Sequence, residues 1–485
     1  MKDISQKIFV FCLLFSMILP IMAIKISAQN KGQKPKFNVL FIISDDLRPE
    51  LGAYGTPNIK TPNIDKIAGR GTRFDNAYAQ YPVCNPSRTS FLTGKYPTQT
   101  GIMNNNDYFR RKFPETVTLP QYFKNNGYAT LRSGKIFHGG IDDQISWTEG
   151  GEPTDPAITE RGKNPPPTTT NPNRELAEDQ PGTTKSSNSD RIIVLEGNGE
   201  SHGDYRATTR AINYLEKYKN QPFFLALGLV KPHSPPTAPQ KFFDLYDVNK
   251  IPLPVDFGTT PKAFADAPPI SISPRNSDLF IGRESTAELS REMKRAYWAS
   301  TSYMDEQVGR VMDALEKNGL KDNTIVVFFG DHGYHLGEKG KWSKAYSLYE
   351  VGLRVPLIIA VPNGKKQSNQ QIVELIDLYP TLADLSGLPI PRDIEGVSLK
   401  TTLQNPKKKT DGISYSVTDY RGTIGKSVRT NRWHYAEWED GKQGSMLFEH
   451  PKDALELKNL AQNQNYAKVV AEMKVLLAKM PTANK

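Results

Sequence analysis

The chain is nearly without cysteine: 485 residues carry two, Cys12 and Cys84. It also lacks internal repeats, and no stretch beyond the N-terminus approaches the length of a membrane-spanning helix. Neither sign of charge dominates, since 62 Lys+Arg face 52 Asp+Glu, a net +10. That basic balance suits a polyanionic partner and equally suits a soluble protein with no such partner. With 37% hydrophobic residues, 24% charged residues, 21 Tyr and 21 Phe, disordered, collagen-like and coiled-coil classes drop out. The length allows a large core and two or three domains.

The N-terminus sets the expected compartment. Lys2 and Lys7 precede an apolar run from Ile8 to Ile24, followed by Ile26, Ser27 and Ala28. This reads as a secretory signal peptide, residues 1–28, rather than an anchor, because the run is short and contains Pro20. Its removal takes away three Lys and one Asp and lowers the net charge to +8. Cys12 leaves with it, so the exported chain holds Cys84 alone and no internal disulfide. A lone thiol in an oxidising space is either buried or put to chemical use.

Four continuous apolar runs, 37–44, 223–230, 325–329 and 355–361, read as strands buried on both faces of a sheet. Thr61 and Pro62 offer an N-cap and first position for a helix reaching Gly69, and an amphipathic helix runs from Glu292 to Asn318. Alternating strands and helices predict an α/β fold with a mostly parallel central sheet flanked by helices. Residues 152–190 are proline-rich and polar, a surface excursion. Beyond Glu395, segments 413–420, 427–438 and 446–450 read as antiparallel strands and 466–480 as a closing helix. The expected organisation is therefore a catalytic domain at 29–395 and a smaller antiparallel α+β subdomain at 396–485.

The chemistry gathers at strand ends. The first strand runs into Asp45-Asp46 and the third into Asp331-His332. Adjacent acids there are costly without a partner, and a hard divalent cation is an economical one. The second strand ends at Lys231-Pro232-His233, so the three ends converge on one pocket. Cys84-Asn85-Pro86-Ser87-Arg88 places Pro86 at a helix start that Gly94 ends, with Cys84 facing the helix's positive pole. On these residues alone, Cys84 would be a low-pKa nucleophile.

Cys-x-Pro-Ser-Arg followed by Thr93-Gly94-Lys95-Tyr96-Pro97 resembles the motif of type I sulfatases of the alkaline phosphatase superfamily. The likeness extends over nearly the whole mature chain and is nearest the iduronate-2-sulfatase branch. It runs through Asp45–Pro49, Gly134–His138, Lys231–His233, Ser302–Arg310, Asp331–Glu338 and Asp377–Thr381. The resemblance implies that a maturase converts Cys84 to formylglycine (3-oxoalanine). It also implies one calcium ion held by Asp45, Asp46, Cys84, Asp331 and His332. Many sulfatases carry asparagine where His332 stands, and a nitrogen ligand is less natural for calcium. Arg88 is implied to stabilise the nucleophile, Lys135 and Lys344 to hold the sulfate, His233 to protonate the leaving sugar oxygen, and His138 to act beside the formylglycine hydrate. His202, His335, His434 and His450 receive no role.

The implied activity is hydrolysis of a sulfated carbohydrate, at the 2-O-sulfate of a uronic acid, iduronate or unsaturated hexuronate. A sulfated algal polysaccharide is the alternative. Phosphonate monoester and phosphodiester hydrolases of the superfamily are a remoter rival, and a catalytically silent lectin would not need the metal and histidine set. The expected partners are that carbohydrate and the maturase, with no nucleic acid and no stable membrane insertion after signal cleavage. The expected location is periplasmic or secreted.

Overall fold

A computed structural model of the protein describes residues 37–153, 190–405 and 412–483. The signal segment 1–28 and nearly all of the 152–190 excursion lie outside the described residues. In chain order the first nine strands are β1 (Asn38–Ser44), β2 (Thr72–Tyr78), β3 (Ala129–Gly134), β4 (Ile193–Leu195), β5 (Phe223–Leu229), β6 (Thr237–Pro239), β7 (Thr324–Gly330), β8 (Arg354–Ala360) and β9 (Gln367–Glu374). Seven of them form one sheet in the order β3-β5-β1-β7-β8-β2-β9. Every pairing is parallel except those of β8, which runs against both β7 and β2. The expected mostly parallel sheet is present, with one reversed strand.

β1, β5 and β7 are buried at every residue, which is why they read as unbroken apolar runs. Helices α1 (Pro62–Ala68), α2 (Cys84–Thr93), α3 (Gly203–Tyr218) and α4 (Ala287–Lys317) cover the sheet. On one face, Leu40 and Ile42 of β1 belong to a core with Ile64 and Ile67 of α1 and Met304, Val308, Val311 and Leu315 of α4. On the other, Phe41 meets Phe91 of α2 and the strand residues Phe224 and Phe329, with centroids 4.9–6.4 Å apart. Such aromatic packing makes Phe41→Ala a loss of about 3–5 kcal/mol.

Three local expectations are corrected. α2 begins at Cys84 itself, two residues before Pro86, because Val83 is the extended N-cap and Val83 O already accepts from Ser87 N. α4 begins at Ala287 rather than Glu292, capped by the Thr286 side chain accepting from Leu289 N. The stretch 427–438 is not one strand. Beyond β9 the strands are β10 (Ser414–Tyr420), β11 (Thr423–Arg429), β12 (Trp433–Trp438) and β13 (Ser445–Glu449), an antiparallel sheet in that order. A tight turn separates β11 from β12, with Thr430 N donating to Trp433 O and Trp433 N to Thr430 Oγ1. The closing helix α5 (Ala467–Leu477) packs Met473 and Leu477 against Val428, Tyr435 and Leu447.

The N-terminus of α1 shows how distant parts are tied. Thr61 occupies the N-cap but makes no capping bond. The Asp305 carboxylate, from the middle of α4, accepts from Asn63 N and Ile64 N at 3.1 and 2.8 Å instead. Asp305 lies within the 302–310 segment, so part of the sequence likeness is a helix clamp rather than chemistry. Asp305→Ala leaves those helix N–H groups without an acceptor and costs about 2–3 kcal/mol in chemical denaturation. A loss under about 0.5 kcal/mol contradicts the clamp.

Candidate active site

Four adjacent parallel strands, β3, β5, β1 and β7, deliver their carboxyl ends to one place, where ligands of open α/β sheets bind. Lys135 follows β3, His233 lies just past β5, Asp45 and Asp46 follow β1, and Asp331 and His332 follow β7. Two glycines permit the crowding at β3 and β5. A Cβ on Gly228 would stand 1.9 Å from Lys135 O, and one on Gly134 would stand 2.0 Å from Gly228 O. Asp46 adopts a left-handed backbone, φ 58°, unfavourable for a non-glycine residue and held by its surroundings. Its N–H donates to Asp331 Oδ1 at 3.2 Å, and its carbonyl accepts from Tyr297 Oη at 2.7 Å.

Cys84 Sγ lies 3.4 Å from Asp45 Oδ1 and 3.2 Å from His332 Nε2, all three fully buried. Arg88, one turn along α2, donates through Nε to Asp331 Oδ2 at 2.9 Å and stands 3.6 Å from Asp45. Its Nη1 donates to both Lys135 O and Ile136 O, which fixes the loop carrying Lys135 and the buried His138. Lys135 Nζ pairs with Asp45 Oδ2 at 2.5 Å. Lys344, from the loop between β7 and β8, donates to Asp46 Oδ2 at 3.0 Å and lies 3.0 Å from His233 Nε2. His233 Nδ1 is 2.7 Å from Ser234 O, which assigns its proton to Nδ1 and turns Nε2 toward Lys344.

Asp45, Asp46 and Asp331 thus share a buried site with Arg88, Lys135 and Lys344. Burial pushes Asp331 up to about 6 and raises Asp46, although His233 and Lys344 oppose the latter shift. Carboxylates so crowded await more positive charge. His332 Nδ1 lies 3.0 Å from Gly333 O, so it bears the proton and leaves the Nε2 lone pair facing Cys84 and Asp331. Ligand atoms of Asp45, Cys84, Asp331 and His332 fall within 4.8 Å of one another, and Asp46 groups likewise with Cys84 and His233. Asp46 Oδ1 is buried and accepts no hydrogen bond among the described residues. The donor set therefore fits a divalent cation, supplying oxygen ligands in excess and one imidazole.

The four unassigned histidines lie apart from the Cys84 contacts described above and bond to other groups. His202 caps α3 by accepting from Asp204 N, and His335 bonds Ser347. His434 and His450 both meet Glu456 Oε1, at 2.5 and 3.1 Å, and hold that carboxyl well below its usual range against the pull of burial. Arg48 pairs with Glu338 at 2.8 Å, clamping the loop after β1 to the loop after β7. Sequence reasoning missed Asp278, whose Oδ2 lies 3.5 Å from Lys344 Nζ; no motif marks it.

The fold and the site together define a hydrolase of alkaline phosphatase-like architecture, with a buried acidic cluster that could hold a metal ion. The chain belongs to the sulfatase family: the family's profile matches residues 37–388, and that of the N-sulphoglucosamine sulphohydrolase C-terminal region matches 337–483. It is 36% identical to iduronate 2-sulfatase of Mus musculus over 414 residues, 76% of this chain and 72% of that one. It is 28% identical to the Δ4,5-hexuronate-2-O-sulfatase of Bacteroides thetaiotaomicron, over 95% and 91% of the two chains. A phosphonate monoester hydrolase of Silicibacter pomeroyi shares the fold, with TM-score 0.73, 22% identity and coverage of 92% and 95%. The protein is a sulfuric ester hydrolase.

Lys341 lies near Asp278 and is wholly buried, with no hydrogen bond from Nζ among the described residues. Burial pulls it from 10.5 down to about 8, against the opposing charge of Asp278. Below pH 8 it is charged in both folded and unfolded chains, and folding must bury that charge; toward pH 10.5 the penalty disappears. Lys341→Met therefore stabilises the protein by about 1–3 kcal/mol at pH 7, with the gain shrinking as pH rises. A gain that grows with pH, or a net loss at pH 7, contradicts this.

Proposed function

We propose that the enzyme removes the 2-O-sulfate of a uronic acid, iduronate or unsaturated hexuronate, using a formylglycine made from Cys84 and one calcium ion held by Asp45, Asp46, Asp331 and His332. The observation that carries this reading is the position of Cys84 Sγ between Asp45 and His332, with Arg88 one turn away. Sγ stands where a hydroxyl oxygen of the hydrated aldehyde would lie. That hydrate supplies the nucleophile for sulfur, and calcium, once bound, neutralises charge on the sulfate and on the attacking oxygen. Three acids and three cationic side chains balance, so a divalent ion leaves two positive charges. These match one sulfate ester monoanion and one ionised nucleophile. Cys84 is 0% exposed, so a maturase must act before the chain folds around it.

Arg88 holds the attacking oxygen, and Lys135 and Lys344 hold sulfate oxygens in a site that excludes water. His233, once it has taken up a proton at Nε2, delivers it to the departing sugar oxygen; in the structure that nitrogen lies 3.0 Å from Lys344 Nζ. His138 takes the hydroxyl proton whose loss releases sulfate. The uronate substrate is supported by the likeness to iduronate and hexuronate 2-sulfatases across most of the chain. Export to the periplasm or beyond is supported by the basic and apolar N-terminus, and no helix of the described residues is long and apolar enough to cross a membrane. We read residues 29–395 as the catalytic part and 396–485 as a subdomain built on the antiparallel sheet.

The test is sulfate release from a 2-O-sulfated unsaturated heparin disaccharide, with a 6-O-sulfated disaccharide alongside and the Cys84 aldehyde verified by mass. Release from the first alone is expected; release only from the second overturns the position. His233→Ala should lower kcat/KM on the sugar sulfate by about 100-fold or more while sparing an aryl sulfate, whose leaving group needs no proton. Equal losses on both contradict the leaving-group role.

A further inference from the structure

Lys344 has a third close neighbour that the reaction above leaves idle. Asp278 Oδ2 lies 3.5 Å from Lys344 Nζ, while that nitrogen is 3.0 Å from His233 Nε2. Of the side chains around this ammonium, Asp278 is the most open, at 13% against 5% for His233 and 0% for Asp46. Part of its side chain thus reaches solvent while His233 and Asp46 stay closed. Yet Oδ2 itself is buried and accepts no hydrogen bond among the described residues. Its partner among the described residues is the Lys344 ammonium at ion-pair distance, so the carboxylate keeps acceptor capacity that a ligand hydroxyl can use.

The position is fixed rather than loose. Asn276 Oδ1 accepts from Trp342 N at 2.7 Å, and Leu279 N donates to Trp342 O at 3.2 Å. Both flanks of Asp278 are thereby pinned to the chain segment that ends in Lys344. The charges facing Asp278 are the ammonium groups of Lys344 and Lys341, and its negative charge helps keep the buried Tyr334 phenol protonated.

We infer that Asp278 is a recognition group for the sugar, accepting a hydrogen bond from the hydroxyl next to the sulfate-bearing carbon. This rests on the proposed role of His233 at the leaving oxygen. His233 Nε2 and Asp278 Oδ2 flank the same ammonium, and neighbouring oxygens on a pyranose ring lie about one hydrogen-bond length apart. When the leaving oxygen meets His233, the adjacent hydroxyl meets Asp278. A carboxylate there rewards a hydroxyl donor and repels a second anion. A neighbouring sulfate is thus rejected, and the uronate carboxylate must point away from Asp278.

The experiment compares wild type, Asp278→Ala and Asp278→Asn on the unsaturated 2-O-sulfated disaccharide, on its 3-deoxy counterpart, and on 4-nitrophenyl sulfate. Asp278→Ala is expected to lose about 10- to 100-fold in kcat/KM on the disaccharide. Wild type is expected to lose a similar factor on the 3-deoxy sugar, where the substitution then adds nothing, and 4-nitrophenyl sulfate turnover stays within about twofold. A matching loss on 4-nitrophenyl sulfate makes Asp278 a positioner of Lys344 and overturns the inference. So does an undiminished loss on the 3-deoxy sugar, or no loss on the disaccharide. If Asp278→Ala does not fold, Asp278→Asn and the wild-type comparison of the two sugars decide. Failure of wild type to desulfate the disaccharide sinks the proposed function and this inference together, whereas normal turnover insensitive to Asp278 sinks the inference alone.

Discussion

The structure turns on the burial of three carboxylates, Asp45, Asp46 and Asp331, at the ends of two neighbouring strands. Removing them from water costs several kcal/mol each unless opposite charge returns it. Arg88, Lys135 and Lys344 supply that charge from a helix and two loops, so each acid dictates where a separate part of the chain must end. The arrangement is neutral by itself and becomes cationic with a divalent ion. On the proposed reading, a sulfate ester would be drawn into such a site, and a nucleophile would ionise there at reduced cost.

Much of the surrounding sequence serves this placement rather than the reaction. The Arg48–Glu338 pair locks the β1 and β7 loops together, and Asp305 locks α1 to α4 beneath them. Gly134 and Gly228 let two strand ends approach closely enough for Lys135 to face Asp45. These residues sit inside or beside the segments that resemble sulfatases, so the likeness marks a scaffold together with its chemistry.

The legible parts of the sequence were those with one dominant force. β1, β5, β7 and β8 are buried along nearly their whole length and announce themselves as apolar runs. β9 (QSNQQIVE) is an edge strand half open to water, and β2 (TRFDNAY) carries a register shift, so neither shows a clean period. The turn after β11 uses Thr430, Asn431 and Arg432 with no glycine or proline to mark it. The acids and Cys84 were readable because their chemistry is expensive to bury and their motifs are ordered along the chain. Asp278 was not, because it reaches Lys344 from a loop whose path depends on Trp342, a long-range contact that local pattern does not encode.

The most direct test of the account is the divalent metal content and affinity of the purified protein, by elemental analysis and by calorimetric titration after chelation. The account predicts one calcium ion per chain, and loss of that binding in Asp45→Asn and in Asp331→Asn variants that keep native circular dichroism. An active protein with no bound divalent ion, or undiminished binding in both variants, would contradict it.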